Sequence, residues 1–199
     1  MEVLLMRHGR TAGNIQRRYV GRTDEPLCQE GIALARGSGV SADTAHIYVS
    51  PLKRALETAS IKFPNAKRTV VADLREMDFG DFEGRSAAEM ERDQAYIKWL
   101  ESNCTLPCPN GERLDDFSDR ICRAFDGIVR ESIENGDRQL VVVAHGGSLM
   151  SILTRFGKPE RLYYEWYVDN CCGYRARLDE AAWDISPALT DCKMFETLP

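Results

Sequence analysis

The stretch Val3-Leu4-Leu5-Met6-Arg7-His8-Gly9 joins a short apolar run directly to two basic residues and a glycine. A short apolar run that stops at glycine predicts a buried β-strand followed by a loop. In open parallel sheets, ligands bind beyond the carboxyl ends of the strands, so Arg7 and His8 are predicted to lie where a ligand binds. A neutral imidazole can attack as a nucleophile, and a neighbouring guanidinium can hold a phosphate through paired hydrogen bonds.

The stretch Leu140-Val141-Val142-Val143-Ala144-His145-Gly146-Gly147 repeats this arrangement later in the chain. Its uninterrupted apolar run predicts a central strand of a parallel sheet. If the two strands are neighbours, His8 and His145 meet at one edge of that sheet. The glycines let backbone N–H groups approach a ligand, and the helix that follows presents its N-terminus to an anion, so Gly146 is expected to bind phosphate.

Predicted strands and helices alternate along much of the chain. β-branched and aromatic residues predict further strands at 47–49, 69–72 and 174–178. Ser50-Pro51 is typical of a helix start, with the serine as N-cap and the proline in the first turn. The alternation predicts a single domain over residues 1–199, folded as a three-layer α/β/α sandwich with a mainly parallel sheet.

The segment from about residue 80 to 136 interrupts this alternation because its composition is mostly helical. Helices are predicted at 87–102 and from Leu114, where apolar residues recur every three or four positions, to the break at Asn135-Gly136. We expect this segment to be a helical insertion over the active-site edge of the sheet.

Arg54 lies in the first turn of the helix that follows strand 47–49, which places it at the same edge as the two histidines. Arg7, Arg54, His8 and His145 are then expected to form a compact cationic cluster. Such a cluster repels itself unless an anion fills it. A phosphate is the natural occupant, because each arginine offers it paired hydrogen bonds.

A carboxyl group near this cluster is expected to protonate the leaving group of a phosphate ester. Glu76 and Asp78 follow the strand predicted at 69–72, and Glu83 lies a few residues later. A bound phosphate raises the pKa of a neighbouring carboxyl group through like charge, as a general acid near neutral pH requires. The residue types alone leave all three candidates open.

Four groups of residues, in this order, resemble the histidine phosphatase superfamily, which includes the cofactor-dependent phosphoglycerate mutases. They are Arg7-His8-Gly9, then Ser50-Pro51 with Arg54-Ala55 and Thr58-Ala59, then Leu74 to Gly80 with Phe82-Glu83-Gly84, and finally Ala144-His145-Gly146. The resemblance covers most of the chain and implies a phosphoglycerate mutase-like fold.

The resemblance also implies a role for each basic candidate. His8 is implied to be the nucleophile that becomes phosphohistidine. Arg7, Arg54 and His145 are implied to hold the phosphoryl oxygens, and Asn14 resembles a further phosphate ligand in the first loop.

The pattern Leu-x-Glu-x-x-Phe-Gly, from Leu74 to Gly80, matches Glu76 to the proton donor of the superfamily and favours it over Asp78. No metal or other cofactor is implied. Arginines and histidines supply the positive charge that Mg²⁺ supplies in kinases.

The segments 109–112, 117–120 and 168–172 are similar to those of α-ribazole phosphatases, which act on α-ribazole 5′-phosphate late in cobalamin synthesis. The implied function is a metal-independent phosphomonoester hydrolase of the histidine acid phosphatase type, with a small-molecule substrate. A broad-specificity phosphatase, a phosphoglycerate mutase, and an inactive relative that binds a phosphoester or a protein are the alternatives. Arg10 replaces the Glu or Gln common in the superfamily, which bears on the substrate, and Cys28 replaces the usual Thr or Ser.

The composition is that of an ordinary globular protein, with 43% hydrophobic and 29% charged residues and a net charge of −5. A negative chain gives no electrostatic support for a nucleic-acid partner. No signal peptide is apparent and no apolar run approaches the ~20 residues of a membrane span, so a soluble cytoplasmic monomer or homodimer is expected. None of the seven cysteines has Cys-x-x-Cys spacing, which favours free thiols.

The sequence leaves two functions open for the arginines of the first loop and two for a set of aromatic residues. Arg17, Arg18 and Arg22 either recruit an anionic substrate or belong to a solvated loop. A set of aromatic residues either lines a pocket for an aromatic base or packs in the core. These are Tyr96, Trp99, Tyr163, Tyr164, Trp166 and Tyr167.

Overall fold

One six-stranded sheet organises the chain in a computed structural model, which describes residues 1–198. The strands are β1 (Glu2–Arg7), β2 (His46–Val49), β3 (Lys67–Val70), β4 (Gln139–Ala144), β5 (Gly173–Arg177) and β6 (Thr190–Phe195). Their order across the sheet is β3-β2-β4-β1-β5-β6. The first four strands in this order pair in parallel, whereas β5 pairs antiparallel with both β1 and β6.

Six α-helices and three short 3₁₀-helices connect the strands within residues 1–198. The α-helices are α1 (Ala12–Ile15), α2 (Gln29–Gly37), α3 (Lys53–Lys62), α4 (Gln94–Glu101), α5 (Leu114–Glu134) and α6 (Gly146–Phe156). The 3₁₀-helices are Ala72–Leu74, Gly80–Phe82 and Tyr163–Trp166. In this part of the chain, no helix has the length and apolar character needed to cross a membrane.

Alternate residues of β1 are buried on opposite faces of the sheet. Val3 and Leu5 lie in one core with α5 and α6, whereas Leu4 and Met6 lie in a second core with α3. Successive side chains of a strand point to opposite faces, so a strand that is covered on both sides needs a continuous apolar run. The predicted three-layer α/β/α sandwich is confirmed.

The pairing of β1 with β4 decides where the two strand-end histidines lie. The strands are parallel neighbours, and Arg7 pairs with Ala144 at the last position of the register. His8 and His145 therefore leave the sheet side by side at its carboxyl edge. Because β2 is the other neighbour of β4 and α3 follows β2, Arg54 comes to the same edge.

Two predicted boundaries next to this edge are wrong. α3 begins at Lys53 and not at Ser50-Pro51: Leu52 is its N-cap residue, and the closest partner of the Ser50 hydroxyl is His145. β3 spans 67–70 and not 69–72, because a 3₁₀-helix begins almost directly after it.

The structure also differs from the prediction at α4 and β6. α4 begins at Gln94 and not at residue 87, because the Asp93 carboxylate accepts from the N–H of Ala95 and caps the helix there. No strand is predicted at 190–195, where β6 forms. An edge strand of mixed polar and apolar residues lacks the continuous apolar run that marks the central strands.

The segment 80–136 contributes to two parts of the fold. Trp99 and Cys104, in and after α4, lie at the carboxyl edge of the sheet beside Glu76. α5 packs against α6 on one face of the sheet, where Phe117 and Phe125 are fully buried.

Leu5→Ala tests the packing of β1. Leu5 is fully buried, so its truncation leaves a cavity that is expected to lower the free energy of unfolding by about 2–5 kcal/mol. Val70→Ala, on edge strand β3 and 54% exposed, is the control and should cost less than about 0.5 kcal/mol. Urea unfolding measures both changes, and equal losses would contradict this description of the core.

Candidate active site

The imidazole of His8 is buried and its orientation is fixed by the backbone. The main-chain N–H of His8 donates to the carbonyl of Ala144 at 3.0 Å. Nδ1 lies 2.6 Å from the carbonyl oxygen of Gly9, and because a carbonyl only accepts, Nδ1 must carry the proton. In the neutral ring the lone pair is therefore on Nε2, the nitrogen left for nucleophilic attack.

His145 lies edge-on to His8, with 5.0 Å between the ring centroids. Its Nε2 is 2.6 Å from Oγ of Ser50, and its Nδ1 is buried with no hydrogen-bond partner among residues 1–198. The Ser50 hydroxyl also accepts from the N–H of Leu52 at 3.4 Å, which favours donation of its own proton to Nε2. The ring proton of His145 then sits on Nδ1, where no protein group within residues 1–198 competes with a ligand for it.

The guanidinium groups of Arg7 and Arg54 are each anchored on one side by main-chain carbonyls. Arg54 is fully buried and donates to the carbonyls of Gly21 and Thr23, both at 2.7 Å. Arg7 donates to the carbonyl of Val168 at 2.7 Å. In the described chain, Nε of each arginine is buried without a partner, so each keeps a rigidly held donor.

These donors form a site that suits an anion. Nε of Arg7, Nε of Arg54 and Nδ1 of His145 all lack a protein partner within residues 1–198. A buried unpaired donor costs about 1–3 kcal/mol, so a cluster of them indicates a function. They adjoin the N-terminus of α6, which begins at Gly146 beside the Arg7 guanidinium, and helix N-termini attract anions. A phosphoryl group fits this donor set.

Burial keeps both histidines uncharged. It lowers the pKa of His8 well below the ordinary value of 6.5, and the charges of Arg54 and Arg7 lower that pKa further. Burial, and then Arg54, lower the pKa of His145 in the same way. The expected cationic cluster therefore consists of two guanidinium ions beside two neutral imidazoles.

Glu76 reaches this cluster from the segment that follows β3, and only 8% of the residue is exposed. Its carboxylate accepts from the N–H of Met77 at 3.0 Å and from the N–H of Gly147 at 3.3 Å. Burial raises the pKa of Glu76, although the Met77 bond and the charge of Arg54 oppose the shift. A Cβ atom at position 147 would lie 2.6 Å from Oε1 of Glu76, so a larger residue there would displace the Glu76 carboxyl group.

The other two candidate acids have structural partners. Asp78 pairs with Arg22 at 2.8 Å. Glu83 accepts from the N–H groups of Gly21 and Arg22, at 3.2 and 2.9 Å. Glu83 therefore fixes the loop whose carbonyls hold Arg54, and Glu76 is the carboxyl group that the fold brings to the histidines.

Asn14 opens onto a polar cleft of about 590 Å³ that also borders Arg7. Its Oδ1 accepts from the N–H of Thr11 at 3.2 Å and from Nδ2 of Asn170 at 3.3 Å. The NH₂ group of Asn14 is therefore left to donate, as a phosphate ligand requires.

The loop arginines divide between this cleft and the surface. Arg10, Arg17 and Arg18 line the cleft together with two carboxylates, Glu30 and Asp169, so its charge is mixed. Arg18 also forms an ion pair with Glu89 at 2.8 Å, and Arg22 forms its ion pair with Asp78.

An apolar cavity of about 290 Å³ adjoins the cluster, with Glu76 and Gly147 in its wall. The rest of its lining consists of Tyr19, Met77, Phe79, Trp99, Leu100, Cys104, Leu114, Phe117, Met150, Tyr163 and Tyr164. Of the six aromatic residues with two interpretations, three line this cavity: Trp99, Tyr163 and Tyr164. Tyr96 and Trp166 pack in the core, and Tyr167 lies against Arg7.

Two further features of the described residues bear on whether a second cavity or a metal site is present. A cavity of about 730 Å³ lies at the opposite edge of the sheet beside Met1 and Arg138, and none of the predicted site residues lines it. No group of His, Cys, Asp and Glu in these residues could hold a metal ion, and the seven cysteines are free thiols.

Three polar residues that support the site have no predicted role there. Ser50 bonds to His145, although its position before a helix indicates a cap. Thr58 accepts from the N–H of Gly9 at 2.8 Å, and Asn170 donates to the carbonyl of His8 at 3.0 Å. Both residues lie in segments that carry the resemblance, which is the only signal that singles them out.

The sequence matches the profile of one family, the histidine phosphatase superfamily (branch 1), over residues 3–188. The chain belongs to this superfamily. That match spans every residue assigned above to the anion-binding cluster.

Similar proteins in the superfamily are named as phosphatases and as mutases. The adenosylcobalamin/α-ribazole phosphatase of Escherichia coli (strain K12) is 32% identical over 182 residues, which cover 86% of this chain and 87% of that protein. A 2,3-bisphosphoglycerate-dependent phosphoglycerate mutase of Cytophaga hutchinsonii is 28% identical over 166 residues, covering 78% of this chain and 77% of the mutase. The crystal structure of the α-ribazole phosphatase from Shigella flexneri superposes with a TM-score of 0.77 at 26% identity, covering 100% of this chain and 98% of the other. The predicted phosphoglycerate mutase-like fold is confirmed.

Glu76→Gln tests the consequence of burying this carboxyl group. Because the folded pKa is raised, the folded chain binds the proton more tightly than the unfolded chain, whose carboxyl pKa is about 4.3. Wild-type stability should therefore fall as the pH rises from about 4.3 through the folded pKa. The free energy of unfolding of the variant minus that of the wild type should increase over this window and then level off. Urea unfolding between about pH 4 and about pH 8 measures this difference, and a constant difference would contradict the raised pKa.

Proposed function

We propose that this chain hydrolyses phosphomonoesters of small molecules through a phosphohistidine formed at Nε2 of His8. The observation that carries the proposal is the buried, neutral imidazole of His8, whose Nδ1 proton is held by the Gly9 carbonyl. This arrangement leaves Nε2 as a nucleophile beside a cluster of donors that suits a phosphoryl group.

In the first step, Nε2 of His8 attacks the phosphorus atom and the bond to the ester oxygen breaks. Arg7, Arg54 and the Nδ1–H of His145 bind the other phosphoryl oxygens, where negative charge is concentrated. Glu76 gives its proton to the departing ester oxygen, so that a neutral alcohol leaves. The raised pKa of Glu76 supports this role, because a general acid must be protonated near neutral pH.

In the second step, water attacks the phosphohistidine and the Glu76 carboxylate takes a proton from that water. The P–N bond breaks with its electron pair returning to Nε2, and inorganic phosphate is released. Asn14 and the N–H of Gly146 supply further donors to the phosphate oxygens. The two guanidinium groups provide the positive charge in both steps, so the scheme uses no metal ion.

The substrate that we propose carries an aromatic group, and α-ribazole 5′-phosphate is the first choice. The apolar cavity beside Glu76 supports it, because Trp99 and Tyr164 in its wall offer flat surfaces against which an aromatic base can be buried. Two of the similar proteins above are named as α-ribazole phosphatases, which adds to this support.

A broad-specificity phosphatase would use the same two steps without selecting the aromatic group. A phosphoglycerate mutase would return the phosphoryl group to a substrate hydroxyl, and the mutase relative is the reason to consider it. The apolar lining beside Glu76 favours a phosphatase, because a phosphoglycerate has no apolar group to bury there and its polar groups would lose hydration.

Rapid chemical quench during turnover of p-nitrophenyl phosphate tests the proposed intermediate. The wild type should yield acid-labile phosphate on the protein, and His8→Ala should yield none, because the attacking nitrogen is gone. His46→Ala is the matched control, since His46 bonds to Thr69 at 2.8 Å and lies outside the cluster. Turnover should also persist in a chelator. Full activity of His8→Ala would contradict the mechanism.

The ratio of kcat/KM for α-ribazole 5′-phosphate to that for ribose 5-phosphate tests the aromatic substrate. The two esters share the reacting group, and burial of the base should favour the first by roughly tenfold or more, equivalent to about 1.4 kcal/mol. Tyr164→Ala should reduce this ratio, whereas Leu162→Ala, a nearby exposed residue outside the cavity lining, should leave it unchanged. Equal kcat/KM values in the wild type would count for the broad-specificity phosphatase instead.

A further inference from the structure

A partly buried ion pair outside the anion-binding cluster holds the backbone around Glu76. Arg120, on the second turn of α5, is 8% exposed. It donates from Nη1 to the carbonyl of Asp73 at 2.8 Å and to the carbonyl of Arg75 at 3.0 Å. These carbonyls lie in the three residues that precede Glu76, so Arg120 fixes the backbone on its N-terminal side.

Glu112 completes this arrangement on the C-terminal side of Glu76. Its carboxylate accepts from Nε and Nη2 of Arg120, at 3.1 and 2.8 Å. Its Oε2 also accepts from the N–H of Asp78 at 2.9 Å, and its own N–H donates to the carbonyl of Asp78 at 2.9 Å. We call this pair of side chains the Arg120–Glu112 clamp.

The clamp is joined to the cavity wall by packing. The guanidinium of Arg120 lies over the ring of Phe117, 5.1 Å from its centroid. Phe117 lines the apolar cavity and lies 3.0 Å from the position that a Cβ atom would take on Gly147. Gly147 in turn donates to Glu76, so the clamp, the cavity wall and the proposed acid form one contiguous unit.

We infer that the Arg120–Glu112 clamp positions the proton donor Glu76, an inference that rests on the proposed function. Within residues 1–198, neither clamp side chain bonds to a side chain assigned to catalysis; both act on the backbone that carries Glu76. A misplacement of about 1 Å in a reacting group costs roughly a hundredfold in rate. Loss of the clamp should therefore slow proton transfer to the leaving group.

Two aromatic esters of similar size separate this role from a general structural role. Benzyl phosphate releases an alkoxide, which needs a proton as it departs, whereas p-nitrophenyl phosphate releases a stable anion that does not. The value of kcat/KM includes the step in which the leaving group departs from phosphorus. A positioning defect at Glu76 is thus expected to affect benzyl phosphate selectively.

The experiment compares kcat/KM for both esters in the wild type, Arg120→Gln, Arg120→Lys, Glu112→Gln and Arg123→Gln. Arg120→Gln and Glu112→Gln should lower the value for benzyl phosphate roughly tenfold to a hundredfold, and that for p-nitrophenyl phosphate less than about threefold. Arg120→Lys should lose less, because it keeps a cation beside Glu112. Arg123, exposed on the same helix, is the control, and Arg123→Gln should change neither value by more than about twofold.

Amide hydrogen exchange of the segment 73–79 is a second measurement that needs no turnover. Exchange should be faster in Arg120→Gln and Glu112→Gln and unchanged in Arg123→Gln. If Arg120→Gln does not fold, Arg120→Lys and Glu112→Gln provide the same comparison. Equal losses for the two esters, or unchanged exchange, would overturn the positioning role. A wild type that hydrolyses neither ester would count against the proposed function, and the exchange data would still decide the clamp.

Discussion

The parallel pairing of β1 with β4 is the constraint on which the candidate site depends. Its register sets Arg7 opposite Ala144, so His8 and His145, the next residue of each chain segment, lie side by side at the carboxyl edge of the sheet. A slip of one residue would turn every side chain of a strand to the opposite face. Because β1 is buried on both faces, such a slip would disturb both cores, and the separation of 5.0 Å between the two imidazoles is strongly specified.

Removal from water then sets the chemistry of the groups at this edge. The same burial that lowers the pKa of His8 raises the pKa of Glu76, so burial favours the neutral form of both the base and the acid. Burial also leaves donors of Arg7 and Arg54 without protein partners in the described chain. Each of these conditions disfavours the folded state, and the apolar cores on the two faces of the sheet offset them.

The parts of the site that could be predicted are those marked by local sequence patterns. His8 and His145 stand out because each ends a continuous apolar run, and Arg54 because its helix follows a strand at the same edge. The contacts of Ser50, Asn170 and Arg120 join segments that are distant in the chain. Such contacts cannot be predicted from the spacing of residues in the sequence. The position of Ser50 before a helix predicts that its hydroxyl caps that helix. In the structure the hydroxyl bonds to His145. Burial, which makes both imidazoles neutral, likewise depends on tertiary packing.

The stereochemical course at phosphorus tests the central claim, a covalent bond between His8 and the phosphoryl group, most directly. The substrate is a phosphorothioate monoester made chiral at phosphorus with two oxygen isotopes, and turnover in water labelled with the third isotope gives a chiral thiophosphate whose configuration is determined. Formation and breakdown of a phosphohistidine are two in-line displacements, so the account predicts retention of configuration. Inversion would show a single direct attack by water and would contradict the account.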